Sequence, residues 1–295
     1  MSDNCANKII VIRGGGDIAT GVVQKFHRAG FNVLILETQT PTAIRRSVAL
    51  CEAVYDRVKT VEDMKCSIIA NPNEAGKYWQ ERIIPLLIDP NGSSIKTIKP
   101  AAVIDAIIAK RNTGTKMNMA KITIALGPGF TAGKDVHAVI ETKRGHNLGR
   151  LILQGQAEPD TGIPGEIMGE STNRVIYTPE AGTIKHIKSI GSNVKQGEVL
   201  FTIENNKSNS KNSTLEVKAP LTGLLRGLIR EGITVGKRVK AADIDPRPGI
   251  DYLTISDKAR CIGGAALEVY FSLANTGNDC KQQENCNNEV SCINE

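Results

Sequence analysis

Aromatic side chains are scarce. Five Phe, five Tyr and one Trp amount to 4% of the 295 residues. That is too few for a surface that stacks successive bases, so a single-strand nucleic-acid platform is excluded. A dominant charge of one sign is also missing. The net +6 is spread along the chain, with no Lys/Arg run dense enough for a nucleic-acid arm, and suits small anionic ligands. No apolar run approaches the ~20 residues of a membrane helix. The opening MSDNCANKIIVI lacks the basic start and long apolar stretch of a secretory signal. The expected compartment is the cytoplasm, with no nucleic-acid or membrane partner. The sequence does not set the oligomeric state.

Paired cysteine motifs are lacking as well. There are seven cysteines, an odd number, and no CxxC. Cys5, Cys51, Cys66 and Cys261 are scattered. Cys280, Cys286 and Cys292 follow a C-x5-C-x5-C spacing in a polar tail, wider than zinc spacing and without a nearby histidine. Free thiols are the expectation. No Ser-His-Asp arrangement appears, so no complete nucleophile–base–orienter set is visible, and the reading leans away from an enzyme.

What is present is alternation. KIIVIRGGGDIATGVVQKFHRAGFNVLILET reads as strand, glycine turn, helix and strand, the helix stopping at Gly30. VALCEAVYD, KCSIIA, IIPLLID, KITIAL and DVHAVIET read as further strands. NEAGKYWQER and PAAVIDAIIAKRN read as helices, the second opening at Pro100. Strands alternating with helices predict an α/β layer structure. After residue 155 the chain turns rich in Gly, Pro and acidic residues, which marks a linker or loop.

Beyond that lies a repeat. TPEAGTIKHIKSIGSNVKQGEVLFTI is echoed 41 residues later by APLTGLLRGLIREGITVGKRVKAADI, with Gly182 matching Gly223, Val194 matching Val235 and Ile203 matching Ile244. Neither half can bury a core alone, so the two should pair. The pattern resembles the biotinyl/lipoyl barrel-sandwich domains. The polar connection ENNKSNSKNST, with Lys207 and Lys211, lacks the tight hairpin that presents a modified lysine there, so neither biotin nor lipoate is expected.

The expected fold class is α/β: a Rossmann-like parallel-sheet domain at 1–165 plus a small all-β barrel-sandwich domain at 170–250. A C-terminal strand and helix at 251–274 should pack back on the α/β domain. The tail at 275–295 should be disordered.

The candidate site begins at Gly14-x-Gly16-x-x-Ala19, a dinucleotide fingerprint between strand and helix, with Glu37 closing the next strand. Glycines let backbone N–H groups approach a pyrophosphate, and the helix dipole favours it. Arg13 is placed to reach a phosphate. Gly15 belongs to the same cradle, whereas Asp17 in the first helical turn would repel an anion. Arg45 and Arg46 are further phosphate candidates, or a solvated face. Gly127 and Gly129 form a second glycine turn after a strand, either on the same rim or a simple connection. His137, Glu141 and His146 fall close together, but such residues are more often hydrogen-bond partners than metal ligands, and no metal is assigned. Cys261, ahead of Gly263 and Gly264 at a helix start, is the one catalytic candidate, against the reading of an inert small hydrophobe.

IRGGGDIATG, LETQTPTAIRRSVALCEAVYD, VIDAIIAKRNTGT, IALGPGFTAGKDVHAVIETKRGHNLGR and ISDKARCIGGAALE together resemble the YqeB family, accessory proteins of the selenium-dependent molybdenum hydroxylases. The resemblance spans about residues 8–273 and leaves out the cysteine tail. The family is distantly similar to the accessory proteins that mature xanthine dehydrogenase. The resemblance implies a protein that binds the molybdenum cofactor, as molybdopterin or its cytosine dinucleotide, and helps load sulfur or selenium and insert it. The implied partners are a molybdenum hydroxylase apoenzyme and cofactor-biosynthesis or selenium-delivery proteins. Two alternatives stand beside it: a nucleotide-dependent oxidoreductase or transferase using the glycine loop, and a nucleotide-sensing protein without chemistry.

Overall fold

The computed structural model describes residues 8–205 and 213–291, with backbone alone at 205, 213 and 276–291. Short apolar runs supply the strands. They are β1 (Ile9–Arg13), β2 (Asn32–Glu37), β3 (Val58–Val61), β4 (Met64–Ile69), β5 (Ile84–Ile88), β6 (Ala102–Asp105), β7 (Ile122–Leu126), β8 (Thr131–Ala132), β9 (Ala138–Ile140) and β10 (Leu151–Ile152). All except β8 form one nine-stranded sheet of order β10-β9-β7-β6-β1-β2-β5-β4-β3. β8 pairs instead with β11 (Gly155–Gln156). The helices are α1 (Asp17–Arg28), α2 (Ala53–Asp56), α3 (Ala75–Gln80), α4 (Ile95–Ile98) and α5 (Asp257–Ser291). None of the described helices is long and apolar enough to cross a membrane.

Alternation along the strands decides which helix each residue meets. Ile10 and Ile12 of β1 face the cluster built on α1 and α5, whereas Val11 faces the one that holds Ile95 and Trp79. A strand covered on both sides must be apolar on both, which is why these segments read as continuous runs.

α1 and α5 cross through glycines. A Cβ on Gly263 would lie 2.3 Å from the Gly21 carbonyl oxygen, and one on Gly21 would lie 2.3 Å from the Ala259 carbonyl oxygen. Further along both helices, Phe26 meets Tyr270 edge to face at 5.8 Å. The pairs advance together, so the helices run in the same direction and their N-termini open at the same end.

The second unit holds β12 (Val175–Tyr177), β13 (Gly182–His186), β14 (Asn193–Val194), β15 (Val199–Asn205), β16 (Ser213–Lys218), β17 (Gly223–Leu228), β18 (Thr234–Val235) and β19 (Lys240–Asp245). The sequence repeat equates β13 with β17, β14 with β18 and β15 with β19. Each half lends its short strand to the other: β14 pairs with β17, and β18 with β13. This exchange buries Ile184, Phe201, Leu225 and Ile244 in one apolar cluster that neither half could close alone.

The expected fold class needs correction on both counts. The large sheet is mixed, not a Rossmann-like parallel sheet. Its seven inner strands are parallel, but β3 returns on β4, and β10 on β9, antiparallel. The β3–β4 return turns at Glu62, whose φ is +52°. The expected barrel-sandwich domain is two separate four-stranded antiparallel sheets, β12-β19-β17-β14 and β16-β15-β13-β18, with no barrel closure.

Individual elements differ too. VALCEAVYD is a run of short helical turns rather than a strand, and PAAVIDAIIAKRN is β6 and a loop rather than a helix. Pro100 follows α4, where Lys99 is left-handed (φ +49°), so it ends a helix instead of opening one. The short buried run AVID carries no period that separates strand from helix. α5 continues as backbone helix to Ser291, through much of the tail expected to be disordered. Lys207 and Lys211 lie outside the described residues.

Candidate ligand-binding cleft

The glycine turn after β1 sits where the strand order reverses. β1 lies between β2 and β6, and the chain goes to β2 first and returns to β6 later. Ligands of open α/β sheets bind at such a point, beyond the carboxyl ends of the strands. Three glycines hold the turn there for different reasons. Gly14 has φ +93°, and a Cβ on it would be 3.0 Å from the Ala106 carbonyl oxygen, so it lets the turn pass the end of β6. A Cβ on Gly15 would be 3.0 Å from the Cys51 nitrogen. Gly16 has extended backbone as the N-cap of α1 and nothing within 4 Å of a Cβ. Packing accounts for the first two glycines and not for the third. The first N–H groups of α1 have no intrahelical acceptor.

They open into a cleft of about 790 Å³ between the large sheet and the second unit. Gly16, Asp17 and Glu37 lie on the sheet side; Arg174, Arg226 and Lys240 come from the second unit. The lining holds six cations (Arg45, Arg144, Arg174, Arg226, Lys240, Lys258) against three carboxylates (Asp17, Glu37, Asp243). Arg45 Nε is buried without a hydrogen-bond partner. Burial works against the Arg45 charge, and Asp17, 3.7 Å away, offsets this in part. Glu37 accepts from the Gly15 N–H (2.8 Å) and the Thr38 N–H (2.7 Å); burial pushes its carboxyl up against the pull of those bonds.

Across the cleft, Asp243 joins Arg174 (3.2 Å) to Arg226 Nε (2.9 Å), and Arg226 also reaches Asp245 (2.9 Å). The segment before α2 fastens the two units. Leu228 N–H donates to the Ile44 carbonyl (2.9 Å), Arg46 Nε to the Leu228 carbonyl (2.7 Å) and Arg230 to Glu52 (2.8 Å).

Several sequence candidates take other roles. Arg13 is buried away from the cleft; it donates to Thr115 Oγ1 and to the Pro90 carbonyl (2.9 Å) and lies 3.7 Å from Asp105. It ties β1 to β6 and the loop after it. Arg46 is the strut just described. A Cβ on Gly127 would lie 2.5 Å from Thr142 Oγ1, and one on Gly129 2.6 Å from the Arg111 backbone. That turn reaches only an adjoining cavity of about 520 Å³, through Pro128. His137 Nδ1 accepts from the Thr123 N–H (3.0 Å), and burial lowers its pKa. Glu141 accepts from the Lys143 and Glu158 N–H groups, both at 2.7 Å. His146 is exposed. No three His, Cys, Asp or Glu side chains converge on a metal position among the described residues.

Cys261 lies outside the cleft, exposed, with its Sγ 3.5 Å from the Leu148 carbonyl. The neighbouring Gly263 serves the helix crossing rather than the thiol. Cys51 and Cys66 are buried, and burial pushes both thiols up. Brief alkylation of the native protein, mapped by mass, should therefore label Cys261 and spare Cys51 and Cys66 by at least roughly 100-fold in rate, because the thiolate reacts and both must be uncovered first. Comparable labelling of Cys51 would mean that the segment before α2 opens readily.

The cleft cations outside the glycine turn were legible only in part. Arg174, Arg226, Lys240 and Lys258 stand singly in sequence on different elements, and only the docking of the second unit gathers them.

No family model matches the chain. A curated relative, "Uncharacterized protein YqeB" of Escherichia coli (strain K12), is 47% identical over 272 residues, covering 92% of this chain and 49% of that protein. The chain thus spans about half the length of the relative, and the similarity supports the resemblance to the YqeB family over that span. Three solved structures align at low scores. An aspartoacylase family protein from Mesorhizobium loti has TM-score 0.26 and 13% identity, covering 75% of this chain and 59% of that one. The ectoine utilization protein EutE (DoeB) from Ruegeria pomeroyi has 0.28 and 9%, covering 82% and 86%. A succinylglutamate desuccinylase from a Silicibacter species has 0.25 and 12%, covering 82% and 85%. Superpositions at these scores carry no argument for a shared activity. The curated relative's name carries no molybdenum-cofactor role either, and the expected role in maturing a molybdenum hydroxylase is withdrawn.

Proposed function

We propose that the cleft binds a phosphate-bearing nucleotide, with a phosphoryl group at the N-terminus of α1. One observation carries the reading. Gly16 caps α1 at the switch point of the parallel strands, and its Cβ position is open space on the cleft wall. Protein packing does not require glycine there; the close approach of an anion does. The excess of cations over carboxylates and the unpartnered Arg45 Nε give the same sign of charge. The proposal is of a binding site and assigns no reaction.

Calorimetry of the full chain with adenine and cytidine nucleotides, wild type against Gly16→Val, tests it. A valine at this position should weaken binding at least roughly tenfold, about 1.4 kcal/mol. The fold should lose no more than the ~1 kcal/mol of a weakened N-cap. Equal affinity of the two proteins, or no nucleotide bound by the wild type, would refute the reading.

A further inference from the structure

Lys258 is the second residue of α5, and it lines the cleft together with Ser256. Ser256 caps that helix: its Oγ accepts from the Ala259 N–H (3.2 Å) and its carbonyl from the Arg260 N–H (2.9 Å). α5 therefore begins at the cleft wall, as α1 does. Because the helices are parallel and cross at Gly21 and Gly263, the positive ends of two helix dipoles lie side by side.

Three cations surround the second of these ends: Lys258, Arg144 and Lys240. Arg144 is held by two hydrogen bonds to Asp257 (2.9 and 3.1 Å), and that carboxylate is largely exposed, outside the cleft lining. The Lys258 ammonium has no hydrogen bond or salt bridge among the described residues. Burial pushes its pKa down, and Arg144 pushes in the same direction. Asp17, in the first turn of α1, is close enough to act on the same ammonium. Arg174 faces the same space with a side chain only 7% exposed and its Nε unpartnered. Two helix ends, with a Lys258 ammonium outside any hydrogen bond or salt bridge among the described residues and an unpartnered Arg174 Nε, exceed what one phosphoryl group can engage.

We propose that the ligand carries a diphosphate, one phosphoryl group at the α1 turn and the other at the start of α5 with Lys258, Arg144 and Lys240. This rests on the nucleotide reading above and narrows it to nucleoside diphosphates and dinucleotides. The two phosphoryl groups divide the anion between neighbouring helix ends, and Lys258 acts as a point charge on the second.

The test compares ADP with AMP, and CDP with CMP, on wild type and Lys258→Gln, with lysine acetylation footprinting as a second readout. In the wild type the diphosphate should bind at least tenfold tighter than the monophosphate. Lys258→Gln should reduce that ratio below threefold while leaving monophosphate affinity within twofold. Inorganic pyrophosphate alone should protect Lys258 from acetylation in the wild type. Nucleotide binding with no preference for the diphosphate overturns the proposal and leaves the nucleotide reading standing. Absence of nucleotide binding with pyrophosphate protection of Lys258 retains the anion subsite and removes the nucleotide. Neither binding nor protection overturns both.

Discussion

Gly263→Val should lower the stability of the protein by about 3 kcal/mol, the upper end of typical overpacking costs. The added carbon would meet the Gly21 carbonyl oxygen at 2.3 Å, and backbone cannot step aside as a flexible side chain can. The neighbour provides the control. A Cβ on Gly264 meets nothing within 4 Å, so Gly264→Ala should be neutral, or stabilising by up to the ~1 kcal/mol that separates glycine from alanine in a helix. Thermal melts should separate the two variants by roughly 6–16 °C, at 2–4 °C per kcal/mol. The damage should also reach the cleft, because this crossing sets the two helix ends beside one another. Gly263→Val should therefore weaken nucleotide binding although residue 263 lines no part of the site. Equal melting points for the two variants would show that α1 and α5 can separate freely, and the arrangement of the helix ends would lose its basis.

How far the sequence discloses this molecule depends on the range of the interactions involved. The β1–α1–β2 unit is plain because a buried run, a glycine turn and a 3.6-residue period follow one another within some thirty residues. The 41-residue repeat is plain for a similar reason, since each half carries its own glycine punctuation. The strand exchange between the halves is not written in either half, because it arises only when both bury one cluster. β6 is misread because a four-residue apolar run fits a strand or a helix equally, and the choice is made by β1 and β7 on either side. The same limit governs the site. Gly16 announces itself locally. Arg13 appears beside it as a phosphate ligand, but its partner Thr115 is 102 residues away and holds the side chain in the interior, outside the cleft lining. Gly263 sits two residues from Cys261 and suggests a reactive thiol, whereas the contact that requires the glycine is with Gly21 on another helix.

The second large effect is expected at Asp243. Its carboxylate is buried between Arg174 and Arg226, with side-chain exposures of 3%, 7% and 13%. Asp243→Ala should cost about 3–5 kcal/mol, because it leaves the Arg174 guanidinium without a carboxylate and Arg226 with Asp245 alone in a poorly hydrated place. The loss should be far smaller when charge and partner leave together, so Asp243→Leu with Arg174→Met and Arg226→Met should recover much of the stability. Asp245 extends the network and adds a pH dependence. Burial alone would raise its carboxyl, but the Arg247 side chain and backbone N–H, with the charge of Arg226, bring it below the usual carboxylate range. A group depressed in the folded state contributes its stability above the unfolded pKa, about 3.8, and loses it as pH falls through the folded value. Denaturant titrations of the wild type should thus show midpoints falling with pH below about 4, with a shallower fall in Asp245→Asn, where the titrating group is gone. The ligand response separates this network from mere support. Arg174 and Arg226 line the cleft, so an anion bound there should offset part of the Asp243→Ala loss by linkage and raise the variant's midpoint more than the wild type's. A variant that loses stability yet gains nothing extra from saturating nucleotide or pyrophosphate would mean that these arginines serve the second unit's architecture and do not face the ligand.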